Sequence, residues 1–96
     1  MRTSQIFEFH RSAVREIALR HHVRDVRVFG SVLHGDDETG SDLDILVEPT
    51  GETTLFDLAR IQGEIEALLG VSVDVLTPNS LPEKFRDLVL LEAQRV

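Results

Sequence analysis

The chain has 96 residues, 42% of them hydrophobic, enough for one domain around one core and too few for two. Its formal net charge is −7, and of ten basic residues one is a lysine, Lys84, with the arginines scattered among acids; this disfavours a protein that grips a long nucleic acid by neutralising its phosphates, while a single nucleotide held through a metal, or a basic partner protein, remains compatible. Cysteine is absent, which excludes disulfides, zinc–thiolate sites and thiol nucleophiles, and with no signal-peptide core in MRTSQIFEFHR and no apolar run of membrane length the expected location is cytoplasmic, away from membranes.

Residues 4–22 read as one helix, with Ile6, Phe9, Ala13 and Ile17 at the spacing of a buried stripe and Val14 and Ala18 widening it. Arg20, His21 and His22 fall in its last turn, where cations suit the helix dipole; adjacent histidines do not share a helix face, so a solvated helix end is expected there rather than a metal site. Val26, Val28 and Phe29 form a first strand that breaks at Gly30-Ser31. Val32-Leu33-His34 makes a short helical turn before Gly35. Asp36 to Ser41 has the composition of an exposed, solvated loop, and its ligand order does not fit an EF-hand. A second strand, about 42–48, stops at Pro49. Thr54 and Asp57 form a capping box for a helix to Leu69, with Leu55, Leu58, Ile61, Ile65 and Leu68 as its stripe and Gly70 as a left-handed cap. VSVDVL, residues 71–76, alternates as a third strand. Ser80 and Glu83, with Pro82, form a second capping box for a last helix over about 81–94. Phe85, Leu88, Val89, Leu90 and Leu91 in that helix exceed one buried stripe, so part of this surface is either extra core or a patch for a partner or a second copy.

The chemistry concentrates between Val26 and Val47. Side chains alternate along a strand, so Asp42 and Asp44 point one way while Leu43, Ile45 and Val47 point to the core. Two adjacent carboxylates resist joint ionisation unless a cation joins them. Gly30 permits a sharp turn and close backbone approach to a ligand, and a helical turn starting at Ser31 offers N–H groups and a hydroxyl to phosphate oxygens. Ten residues separate Ser31 from Asp42, a return that makes the two strands antiparallel neighbours and sets phosphate binders beside metal ligands. The helical crossover of residues 54–69 allows a parallel third strand, which brings Asp74 to the other two acids. Three such acids suit two Mg²⁺ ions about 4 Å apart, as in phosphoryl transfer. The expected architecture is α/β (α+β), a small mixed sheet of about three strands with helices packed mainly on one face and the carboxylates on the other.

FGS, nine residues, then SDLDILV, with Asp74 further on, resembles the signature of the polymerase-β-like nucleotidyltransferase superfamily. The short length is similar to its minimal nucleotidyltransferases, single-domain proteins encoded beside a helical HEPN-domain protein. The resemblance spans nearly the whole chain and implies one such domain over residues 1–96. It implies an antitoxin that transfers AMP from ATP, with magnesium, to its HEPN ribonuclease toxin. By position it makes Gly30 and Ser31 the nucleotide-phosphate binders, and Asp42, Asp44 and Asp74 the catalytic metal ligands. His34 departs from the pattern, standing where many members carry an always-charged Arg.

Two other roles remain open on the residues alone. The same fold could neutralise its partner purely by docking, which the acidic charge and the apolar last helix would serve. A transferase acting on a small molecule would need a second subunit to enclose the acceptor, because only one helix follows Asp74.

Overall fold

The return from Ser31 to Asp42 folds two strands against each other, and the rest of the sheet is added at their edges. In the computed structural model, which describes residues 1–96, β1 (Val23–Phe29) and β2 (Leu43–Pro49) run antiparallel. Helix α4 (Leu55–Leu69) then carries the chain over to β3 (Val73–Leu76), which lies parallel to β2. A two-residue strand, β4 (Gln94–Arg95), pairs antiparallel with the free edge of β1, giving the order β3-β2-β1-β4. The mixed α/β sheet is the expected one, with four strands instead of three.

The main core lies on one face. Leu43, Ile45 and Val47 of β2 are fully buried there with Val26 and Val28 of β1 and Val73 of β3. Each such side chain contributes roughly 1.5–3 kcal/mol of hydrophobic stabilisation. Val23 joins them although it lies three residues before Val26, because the pairing register shifts between Val23 and Asp25, and such a bulge re-phases the alternation. Ile61, Ile65 and Leu69 of α4 cover this core. The Thr54–Asp57 capping box forms as expected, and Gly70 ends the helix at φ 72°. Leu55 and Leu68, placed on the buried stripe by spacing alone, are exposed.

The N-terminal helix is two helices. α1 (Thr3–Phe9) and α2 (Arg11–Leu19) meet at His10, whose φ of −115° and ψ of 19° break the turn. Phe7, Val14, Ile17 and Ala18 enter the core, and Phe9 is 82% exposed. Phe7, Val14 and Ala18 lie at i, i+7 and i+11, one helical face, and Phe9 falls on the other side. The Arg11 guanidinium lies 5.3 Å from the ring centre of Phe7. His21 and His22 are not merely solvated. Each meets a carboxylate of α4, His21 Nε2 at 2.6 Å from Glu64 and His22 Nδ1 at 3.2 Å from the buried Asp57.

The C-terminal segment departs most from its helical reading. The Ser80–Glu83 box does not form; Ser80 instead closes a 3-10 turn (Pro78–Ser80) with Thr77. Helix α5 (Glu83–Glu92) starts after Pro82 without a side-chain cap, and Ala93 (φ −56°, ψ 136°) turns the chain into β4. The open edge of β1 is the physical reason. Pairing there satisfies backbone groups that the helix end would leave free, and the buried Val96 donates its N–H to the Val26 carbonyl at 3.0 Å. α5 packs on the second face of the sheet, where Val89, Leu90 and Ala93 meet Phe29, Leu46 and Leu81.

Candidate active site

Strand register brings the predicted acids together. Asp44 pairs with Phe29 across the antiparallel ladder and with Asp74 across the parallel one. Leu43 and Ile45 on either side of it are buried in the main core, so Asp44 projects from the opposite face. Asp44 is half-buried, whereas Asp42, one residue ahead of β2, and Asp74 are exposed.

Gly30 opens α3 (Gly30–His34), the short helical turn expected after β1. Its φ of 75° lies in the left-handed region, and a β-carbon there would collide with the Asp44 carboxylate. The sequence reading assigned the missing side chain to ligand approach. In the structure the space it leaves is taken by the Asp44 carboxylate, so Gly30 and the acid are in van der Waals contact. The return loop accounts for this closeness.

The electrostatics are those of an acid cluster without a counter-charge. Burial, the charge of Asp74 and a side-chain hydrogen bond with it, and then the charge of Asp42 push the Asp44 carboxyl up to about 6. None of the eight ion pairs in the molecule involves Asp42, Asp44 or Asp74. No three His, Asp or Glu side chains stand close enough together to hold a metal ion as they are placed. The donor set is nevertheless all carboxylate oxygen, the chemistry of hard divalent cations, and a bound cation would remove the repulsion that raises Asp44. The residues fit magnesium in that sense.

One residue of the return loop departs from the expected exposure. Asp36 and Glu38 are exposed as expected, but Asp37 is buried. Its carboxylate accepts the Ser4 backbone N–H at 2.6 Å and the Arg2 guanidinium at 3.0 Å, and Arg2 also donates to the Asp37 and Gly35 carbonyls. The Thr3 hydroxyl donates to the Ser41 carbonyl at 2.6 Å. Burial alone would raise the Asp37 carboxyl; the Ser4 hydrogen bonds and the Arg2 charge outweigh it and hold the group below the usual range. The start of α1 thus staples the loop joining Gly30-Ser31 to Asp42. Nothing in the sequence signals this contact, because residues 35 apart share no periodicity and Asp37 sits in an acidic triplet whose other members are solvated. Asp37→Ala is expected to destabilise the fold by ~1–3 kcal/mol, since the part-buried Ser4 N–H and the Arg2 guanidinium lose their acceptor; thermal unfolding checks this, with Asp36→Ala as the near-neutral control.

His34 closes α3, and its Nε2 lies 2.9 Å from Glu92 on α5. A cavity of about 290 Å³ opens between these two helices, lined by Phe29, Gly30, Leu76, Phe85, Leu88 and Val89 among others.

Comparison with known proteins agrees with this arrangement. The model of the nucleotidyltransferase domain matches residues 10–96. A Methanocaldococcus jannaschii protein that carries the name of a protein adenylyltransferase is 43% identical over 77 residues, 80% of this chain and 83% of that one. Protein adenylyltransferase MntA of Thermococcus cleftensis is 36% identical over 87 residues, 91% of this chain and 85% of its own. Among solved structures, one described as a minimal nucleotidyltransferase superposes with a TM-score of 0.85 at 40% identity, covering 97% of this chain and 95% of that one. A toxin–antitoxin complex with AMP-PNP superposes with a TM-score of 0.70 over 83% of this chain and 66% of its own; at 17% identity this likeness concerns the fold alone. No helix of the chain is long and apolar enough to cross a membrane.

Proposed function

This chain belongs to the nucleotidyltransferase domain family, and from that premise we propose that it transfers AMP from ATP, with magnesium, to a hydroxyl of a partner protein. The partner is a toxin of the HEPN type, and the chain is its antitoxin. The observation that carries the reading is the Asp44–Asp74 register pair, with Asp42 beside it and no cationic side chain neutralising any of the three. The names of the two curated relatives support protein as the acceptor, and the toxin–antitoxin complex with AMP-PNP supports a nucleotide and a toxin partner.

In this reading Gly30 and Ser31 hold the triphosphate, while Asp42, Asp44 and Asp74 hold the metal. Magnesium, when bound, would neutralise the phosphates and stabilise the charge developing on attacking and leaving oxygens. The acceptor hydroxyl oxygen forms a bond to the α-phosphorus as the bond from that phosphorus to the β-phosphate bridging oxygen breaks. Pyrophosphate leaves, and the hydroxyl proton passes to Asp74, the exposed acid of the pair. Orientation is the contribution of the strands, which hold the acids on one rigid face.

The exposed side of α5, with Phe85, Leu88 and Leu91 all more than half exposed, favours a second reading, in which the chain silences its partner by docking alone; the same patch could join two copies of the chain. Intact mass spectrometry of the co-expressed, co-purified partner separates transfer from docking. The expected result is added mass in whole units of AMP. An unmodified partner that still co-purifies and is silenced overturns the enzymatic reading.

A further inference from the structure

β3 is an edge of the sheet, and it is the strand that carries Asp74. Successive residues of a strand turn their N–H and C=O groups to opposite sides. The Leu43 N–H donates to the Ser72 carbonyl at 2.9 Å, and Leu43 stands opposite Val73. The backbone of Ser72, Asp74 and Leu76 therefore serves β2, and that of Val73, Val75 and Thr77 faces away from the sheet. Two of the three outward N–H groups are taken within the chain: Val73 donates to Glu66 at 2.9 Å and Thr77 to Ser80 Oγ at 2.8 Å. The Thr77 carbonyl accepts the Ser80 N–H at 3.0 Å. The Val75 N–H and the carbonyls of Val73 and Val75 have no partner in the molecule.

Blocking an exposed edge is how a protein keeps it from pairing at random. Here both ends of the edge are blocked and one rung between them is open. Such a rung is matched by one residue of an extended segment, which accepts from the Val75 N–H and donates to the Val75 carbonyl, and the blocked positions on either side fix its register. In an antiparallel pairing the next residue of that segment stands opposite Asp74 on the same face, with the two β-carbons about 4.5–5.5 Å apart. Asp44 lies one strand further in and Asp42 precedes β2, so of the three acids Asp74 is the one an added strand reaches.

We propose that the β3 edge docks an extended segment of the acceptor protein, one residue of which exchanges backbone hydrogen bonds with Val75 while its neighbour presents the hydroxyl to Asp74. This assignment rests on the nucleotidyltransferase reading and adds to it the surface that recognises the acceptor. An added strand draws affinity from the main chain and specificity from alternate side chains, and the carboxylates of Asp74 and Glu66 on this edge select against an acidic segment. A second copy of the chain is a poorer occupant, because each copy carries a net charge of −7.

The test is amide hydrogen exchange, read by NMR on the Asp44→Asn chain alone and in complex with its co-expressed partner, whose hydroxyl that variant leaves free. The expected result is a Val75 amide that exchanges fast in the chain alone and at least about tenfold more slowly in the complex. Val75→Pro removes the outward N–H without touching the β2 ladder, and Val75→Ala, which keeps the N–H, controls for the half-buried side chain. Shortly after induction with the partner, intact mass should show its modified fraction at least about fivefold lower with Val75→Pro than with Val75→Ala, as for one lost hydrogen bond. Binding of Mg-ATP, measured by calorimetry, should stay within about twofold of wild type, because the substitution leaves the acids in place. A Val75 amide that exchanges equally fast in the complex overturns the docking surface, and that comparison needs no substitution at Val75. Equal modification with Val75→Pro and Val75→Ala overturns it too, as does protection of Val75 in the chain alone that grows with concentration, the mark of a second copy. Each of these results leaves the transferase intact; a partner that carries no AMP after co-expression with the wild-type chain overturns the nucleotidyltransferase reading itself.

Discussion

Asp44→Asn is expected to lower AMP transfer to the partner by at least about a hundredfold and, at the same time, to stabilise the metal-free chain. Both effects come from one cause. The Asp44 carboxyl is pushed up from 3.8 to about 6 by burial and by Asp74 and Asp42, so its ionised form is disfavoured in the fold. Between these two values the folded chain binds more protons than the unfolded chain, and stability therefore falls as pH rises from about 4 through 6 and then levels off. The amide keeps the shape and removes the charge. Because the group is only half-buried, solvent screening reduces the gain to about 1 kcal/mol, a rise in Tm of about 4–8 °C for a domain of this size. Unfolding in EDTA at pH 5 and pH 7.5 reads the stability part, with the wild-type and variant curves converging at the lower pH. At limiting magnesium, transfer by the wild type should decline as pH drops below about 6, where the proton competes with the metal for Asp44, and added magnesium should move that decline to lower pH. A variant that is neither more stable at pH 7.5 nor impaired in transfer would show that Asp44 is an ordinary surface acid.

Gly30→Ala should damage fold and site together. At φ 75° an L-residue costs roughly 1–2 kcal/mol, and here the added methyl also runs into the Asp44 carboxylate. A combined loss of ~2–4 kcal/mol is expected, along with displacement of the carboxylate and loss of most transfer activity. The two costs can be separated by a double-mutant cycle. In an Asp44→Ala background the collision partner is gone, so the penalty of Gly30→Ala should shrink to the backbone cost alone. Chemical denaturation of the four proteins measures it. Equal penalties in both backgrounds would show that the contact between residue 30 and Asp44 carries no energy.

What the amino-acid order determines by itself is local. Alternation placed Leu43, Ile45 and Val47 inside and Asp44 on the opposite face, and the structure has them so, because a strand's two-residue period leaves no other choice. The Thr54–Asp57 cap and the Gly70 stop were legible for the same reason, each being complete within a few residues. Gly30-Ser31 and the acids Asp42, Asp44 and Asp74 were legible as a set through their spacing, since a ten-residue return and a helical crossover dictate antiparallel and then parallel neighbours. Tertiary structure alone decided the rest. Whether Phe7 or Phe9 enters the core depends on which face of the N-terminal helices meets the sheet; whether the last helix ends at Glu92 depends on a free edge of β1 that receives Gln94 and Arg95. Asp37 is buried because Arg2 and Ser4 arrive from the other end of the chain, and Gly30 is constrained because Asp44 arrives from the neighbouring strand. Periodicity reports which side of an element a residue occupies. What waits on that side is set by contacts across tens of residues, whose energies exist only once the sheet has closed.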